Sequence, residues 1–201
     1  MRVIAGTAKG RILTPPRSPG TRPITDRAKE SLFAILGPDL AGQRFLDLFA
    51  GTGSVGIEAL SRGCPHATFV ERDARALAGL RQNLELTHLA ERAEVVRADV
   101  FAYLRQPPVP SGIVFVAPPQ WLGLWPRALA LLDRHPGWLA PGAVVVAQHD
   151  PAESSPLDLR HLRQSGERTY GRVRFTFFRA DPDGPGQPGG DVLVPHGNGC
   201  R

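Results

Sequence analysis

The stretch "RFLDLFAGTGSVGIEALSRG", residues 44–63, decides how this chain is read. Its first part, "RFLDLFA", is a short apolar run of the kind that forms a buried strand. Its last part, "VGIEALSRG", spaces its apolar residues as a helix does and closes on Gly63. Between them stand Gly51, Gly53 and Gly56 in a G-x-G-x-x-G spacing. Side chains would block a close approach at such a turn, so glycines let a ligand lie against the backbone where the helix begins. Asp47, inside the strand, is costly to bury unless hydrogen bonds hold it, so it is expected to organise the loop.

Working outward toward the C-terminus, the alternation continues. "ATFVER" reads as a strand, "ARALAGLRQNLELTHL" as a helix, "AEVVRAD" as a strand and "VFAYLRQ" as a short helix. "GIVFVA" is a further strand, residues 125–133 a helix, and "GAVVVAQHD" another strand. Strands separated by helices predict an α/β fold of Rossmann-like type, a mostly parallel twisted sheet with helices on both faces. The last run, "GRVRFTFFRA", alternates and is expected at or near a sheet edge. Residues 181–201 are Gly/Pro-rich without periodicity and are expected to be disordered.

Toward the N-terminus, residues 2–5 and 11–13 are β-prone and flank a turn with Gly6 and Gly10, which predicts a hairpin. A Pro-rich connector follows. "TDRAKESLFAILG" reads as a helix capped by Thr25 or Asp26, with Ala28, Leu32, Phe33, Ile35 and Leu36 facing inward. Three units result: a basic extension over 1–38, the main domain over 39–180 and the tail. Residues 1–30 carry seven cations against two anions, which equals the whole chain's formal charge of +5, so the remainder is neutral. That asymmetry suits a polyanionic partner such as RNA. With 42% hydrophobic residues the chain can bury a proper core, and its apolar runs fall far short of the ~20 residues a membrane span requires. It is read as cytoplasmic. Cys64 and Cys200 lack ligand partners at metal-binding spacing, so neither a zinc site nor a disulfide is expected.

Glu71 stands 20 residues after Gly51, where a carboxylate at the end of the second strand can grip ribose hydroxyls. A dinucleotide and S-adenosylmethionine both use such a loop and acid. Three details favour S-adenosylmethionine. Asp47 can receive the ammonium of a methionine moiety through water, Asp99 in "RAD" is placed to accept an adenine amine, and a Pro-Pro turn ends the fourth strand. The alternative for Asp99 is a helix N-cap, the lesser of the two readings. The turn, in "VFVAPPQW", fixes the chain where it leaves the sheet, because neither Pro118 nor Pro119 can continue a ladder. His149 closes a strand and reads better as a packing residue than as a catalytic one.

With these motifs the chain resembles the RsmD family of bacterial 16S ribosomal RNA guanine-N2 methyltransferases. The likeness runs through "MRVIAG", "KGR", "RPITDRAKESLFAIL", "LDLFAGTGSVGIEALSRG", "FVERD", "APP" and "YGRVRFTFF" in order. It implies a class I methyltransferase fold and S-adenosylmethionine as cofactor, with Asp47, Phe49, Gly51, Gly53, Glu71, Arg72 and Asp99 around it. It implies an RNA-facing surface of Arg2, Lys9, Arg11, Arg22, Thr25, Asp26 and Arg27. The methyl-acceptor motif falls on Ala117, Pro118, Pro119 and Gln120, where the family usually reads Asp-Pro-Pro-Tyr. One acceptor for the target amine, the Pro118 carbonyl, is left, and Trp121 is the nearest aromatic able to stack on a base. The resemblance implies a monomeric enzyme that methylates a guanine amine in 16S rRNA of the small ribosomal subunit or its assembly intermediate. The alternative is an RNA-binding assembly factor that keeps the fold and has lost chemistry at Ala117. An NAD-dependent oxidoreductase leaves the basic segment and the Pro-Pro turn without a role.

Overall fold

In the computed structural model, which describes residues 1–15, 24–38, 40–153 and 155–181, the opening stretch folds as strand, turn and helix. Strand β1 (Phe45–Leu48) is buried throughout and feeds helix α2 (Ser54–Ser61). Then come β2 (Ala67–Glu71), α3 (Ala74–Thr87), β3 (Ala93–Arg97), α4 (Val100–Tyr103), β4 (Ser111–Val116), α5 (Leu124–Arg134), β5 (Leu139–His149), β6 (Leu162–Tyr170) and β7 (Val173–Ala180). Helix α1 (Asp26–Leu36) precedes them all.

The seven strands form one sheet in the order β3-β2-β1-β4-β5-β7-β6. The β1–β2, β2–β3, β1–β4 and β4–β5 pairs are parallel, and β7 runs antiparallel to both β5 and β6. The order reverses between β1 and β4, and ligands of such sheets bind outside the strand carboxyl ends at that switch. Buried residues lie on both faces. One cluster joins α1, α2 and α3 to the sheet, with Leu32, Phe33, Ile57 and Leu80 among its members. The other packs α4 and α5 beneath Leu48, Val116 and Val145.

One strand was not anticipated, and one helix face needs correction. Strand β6 is invisible to a pattern search because it is the edge strand and buries only Leu162 fully, so β7 lies one strand in from the edge. In α1, Thr25 caps the helix as expected, its hydroxyl accepting from the Ala28 N–H at 3.2 Å. Ile35, however, is 44% exposed, while Lys29, one of the seven cations of residues 1–30, is 0% exposed. The inward face of α1 is Ala28, Lys29, Leu32 and Phe33, and Ile35 falls beyond it.

The N-terminal residues pair as a hairpin, with Arg2 bridging Ile12. Val3, Ala8 and Leu13 enter the same cluster as α1 and α2. The Pro-rich connector, Arg22 and the 182–201 part of the tail lie outside the described residues. No helix among the described residues is long and apolar enough to cross a membrane.

Candidate active site

The carboxyl ends of β1, β2, β3 and β4 converge on the glycine loop. Three of its five residues have left-handed backbones: Phe49 (φ 64°), Gly51 (φ 55°) and Gly53 (φ 79°). The glycines serve different ends. A Cβ on Gly51 would meet nothing within 4 Å, so this is the face of the loop open to a ligand. A Cβ on Gly53 would overlap Leu80, and one on Gly56 would overlap the Phe69 ring. Those two are small because the loop packs closely on α3 and β2.

Asp47 organises the turn as its position predicts. One carboxylate oxygen accepts the Gly56 N–H at 3.0 Å, and the residue is 2% exposed. Burial pushes its carboxyl up to about 7, against the pull of that hydrogen bond and helped by the Glu71 charge. The sign of the consequence follows. A carboxyl raised in the native state favours the protonated form, so its stabilisation is complete below the ordinary value of 3.8 and is lost as pH rises through about 7. Thermal melts across that window are expected to fall less steeply for Asp47→Asn than for the wild type. Parallel slopes would show that Asp47 titrates normally.

Glu71 ties the loop to the end of β2. One of its oxygens accepts the Gly51 N–H at 2.9 Å, and the other accepts the Arg72 and Asp73 N–H groups, each at 2.8 Å. Asp99 proves to be an N-cap: one oxygen accepts the N–H of Phe101 (3.0 Å) and of Ala102 (3.2 Å). Its second oxygen lies 3.9 Å from the Arg72 guanidinium, on the exposed side. Capping therefore occupies only one of its two oxygens. Phe49 meets Phe101 edge-on at 6.2 Å, and the Arg127 guanidinium covers the other ring at 4.0 Å.

The Pro-Pro turn borders this loop. The Ala117 N–H donates to the Leu48 carbonyl at 3.3 Å, joining the end of β4 to the strand that feeds the glycines. Ala117 is half-buried, Pro118 buried, Pro119 exposed and Gln120 half-buried. Trp121 is 57% exposed and sits at φ 65°, a strained conformation for a bulky side chain that its surroundings must enforce. The Glu153 carboxylate does so by accepting the Trp121 N–H. Glu153 was not singled out in the sequence, since nothing local marks a residue 32 positions away as its partner.

The proposed RNA-facing residues divide. Lys9, Arg11 and Arg27 are exposed. Arg2 is exposed but pairs with Asp26 at 3.1 Å, and the Thr25 hydroxyl is engaged in its cap. His149 belongs to packing: its nitrogens contact the Asp150 carbonyl and the Thr176 hydroxyl at 2.9 Å each, and its ring stacks on Trp125 at 4.2 Å. Burial lowers its pKa.

Two buried polar groups behind the loop were missed by sequence reading. Glu58 and Lys29, both 0% exposed, pair at 3.3 Å. Asn83 sits on α3 among Leu77, Leu80 and Leu84. The only local signal for it was a polar residue on an otherwise apolar helix face.

Against this geometry stand the comparisons with known proteins. A family model described as Conserved hypothetical protein 95 matches residues 1–179. The chain belongs to that family, the RsmD family. The RsmD-family protein of Escherichia coli strain K12, ribosomal RNA small subunit methyltransferase D, is 36% identical over 184 residues, covering 92% of each chain. The solved structure of the Escherichia coli putative methyltransferase yhhF superposes with a TM-score of 0.80 at 35% identity, covering 90% of this chain and 98% of that one. An RNA methyltransferase from Salinibacter ruber, solved with S-adenosyl-L-homocysteine, shares the fold at a TM-score of 0.62 and 15% identity. It covers 83% of this chain and 97% of that one. The Rossmann-like class I methyltransferase fold is thereby established for this RsmD-family chain. The residues fit S-adenosylmethionine: an open glycine face at Gly51, a carboxylate at the end of β2 and the uncapped oxygen of Asp99 just past β3.

Proposed function

We propose that the chain methylates the exocyclic N2 amine of a guanine in 16S rRNA, within the small ribosomal subunit or its assembly intermediate. The observation that carries this reading is the Ala117–Leu48 hydrogen bond, which sets the Pro-Pro turn against the cofactor loop at the topological switch. A base held at the turn would therefore lie beside the methyl donor. The similarity to ribosomal RNA small subunit methyltransferase D supports the choice of substrate.

The cofactor, when bound, supplies a methyl group on a sulfonium. The chain's own residues hold and orient. Gly51, Glu71 and Asp99 grip the cofactor, and Asp47 keeps the loop in shape. A guanine amine donates its lone pair into the ring, so it is a poor nucleophile until acceptors draw its N–H bonds into place. The Pro118 carbonyl is that acceptor. The amine held there would be methylated by the bound cofactor, and the proton it loses would leave to water. Lys9, Arg11 and Arg27 contact phosphates, while the exposed Trp121 ring offers a stacking face where Gln120 cannot.

One observation favours a second reading. Ala117 carries no carboxylate, so the chain could bind RNA during assembly without methylating it. Transfer of labelled methyl from S-adenosylmethionine to small subunits from cells lacking this protein separates the two. N2-methylguanosine is the expected product. Failure to transfer, with cofactor binding confirmed in the same sample, would leave the assembly role standing in its place.

A further inference from the structure

The groups that shape the cofactor loop also hold the N-terminal segment, and they do so through buried side chains that neither site uses directly. Asn83, 0% exposed on α3, is the clearest case. Its carbonyl oxygen accepts the Thr14 N–H at 2.8 Å. Its amide nitrogen donates to the Thr14 carbonyl at 3.2 Å and to the Thr52 carbonyl at 2.9 Å. Thr14 ends the basic hairpin, and Thr52 lies between Gly51 and Gly53. One amide thus grips both strands of the problem: the backbone of the segment expected to meet RNA and the backbone of the loop that meets the cofactor.

A second link runs parallel to it. The Lys29 ammonium donates to the Arg2 carbonyl at 2.6 Å and to the Ser54 hydroxyl at 3.2 Å, and Ser54 directly follows Gly53. Its partner Glu58 accepts the N–H groups of Ile4 (2.8 Å) and Ala5 (3.0 Å). The hairpin is therefore fastened near its start and at its end to residues adjoining the loop glycines. Packing alone does not explain Asn83. Asparagine is a mediocre helix former, and a buried amide is costly unless its groups are bonded, so its value lies in what it bonds.

We propose that Asn83 is a positioning residue that couples the basic N-terminal segment to the cofactor loop, so that RNA binding and cofactor binding strengthen one another. This rests on the reading of the segment as an RNA contact. Movement of Thr14 under load from RNA is carried through one rigid amide to Thr52, and linkage makes the effect reciprocal.

The test is the Kd of S-adenosylhomocysteine, measured for the full chain with and without saturating small ribosomal subunits from cells lacking the protein. In the wild type the subunits are expected to tighten binding by about fivefold or more. In Asn83→Ala that ratio falls to less than half its wild-type value, with the link through Lys29 carrying what is left. Thr87→Val is the control. It removes a buried hydroxyl bonded to the Asn83 and Leu84 carbonyls on the same helix, so it costs stability but keeps the ratio. If subunits bind the wild type yet leave its S-adenosylhomocysteine affinity unchanged, the coupling is refuted while the RNA reading survives. If subunits do not bind at all, both fall. Equal ratios in wild type and Asn83→Ala would show that another link carries the coupling, which also overturns the assignment. Should Asn83→Ala not fold, the wild-type pair of constants still decides whether coupling exists, and Asn83→Ser repeats the comparison with a smaller loss of hydrogen bonding.

Discussion

Ala117→Asp is expected to raise the rate of methyl transfer by about ten- to two-hundredfold, the kinetic equivalent of a charge-assisted hydrogen bond of roughly 1.5–3 kcal/mol. The target amine has two N–H bonds, and only the Pro118 carbonyl is left in the turn to accept one of them. A carboxylate at position 117 would accept the other and hold the lone pair in line with the methyl group. The backbone is already in place, since the Ala117 N–H is anchored to the Leu48 carbonyl and the substitution changes only the side chain. Single-turnover rates with saturating cofactor are the measurement. A rate unchanged within twofold would mean that the chain meets the amine in another way. Substantial activity in the wild type, raised further by the substitution, would show that the Pro118 carbonyl suffices for catalysis and that the acid adds to it.

The largest loss of stability is expected at Glu58. This carboxylate is fully buried and accepts from the Ile4 and Ala5 N–H groups, from Arg62 at 2.8 Å and from Lys29 at 3.3 Å. Burial already lowers the Lys29 pKa, with the charge of Glu58 opposing the shift. Glu58→Ala leaves a buried ammonium without its counter-charge and two backbone donors without their acceptor, and removal of one partner from such a pair costs about 3–5 kcal/mol. Urea denaturation should show it as a lower midpoint at unchanged slope. Replacing both charges, with Lys29→Met and Glu58→Leu together, is expected to recover part of the loss. Full recovery is not expected, because Ile4 and Ala5 remain unbonded. A cost below about 1 kcal/mol for Glu58→Ala would mean that the pair is solvated rather than buried.

Much of this was legible from sequence because it is local. The strand–turn–helix of residues 44–63 follows from apolar spacing and glycine placement, and the same periodicities located α3, α5 and the parallel strands. The acids at 71 and 99 sit at strand ends, so a reading of the strands placed them at the sheet's carboxyl edge without any coordinates. The resemblance to the RsmD family then supplied the cofactor, and the comparisons upheld the family. Strand β6 escaped because an edge strand with one fully buried residue has no alternation to detect. Ile35 was placed on the wrong side because local hydropathy assigns apolar residues inward, whatever the packing around them.

The sequence by itself determined the alternation of strands and helices from β1 to β5, the turn at the glycines and the acids at the strand ends. Each of these depends on neighbours within a few positions. Only the tertiary structure decided that a lysine and a glutamate belong to the core, that Asn83 serves two backbones at once and that Glu153 holds Trp121 in a left-handed conformation. Helix α2 explains why: every one of its residues is buried, since the N-terminal hairpin covers the side that the sheet does not. Ile4 and Glu58 are 54 positions apart, and no local pattern can tell a charge facing water from one facing a distant strand that satisfies it.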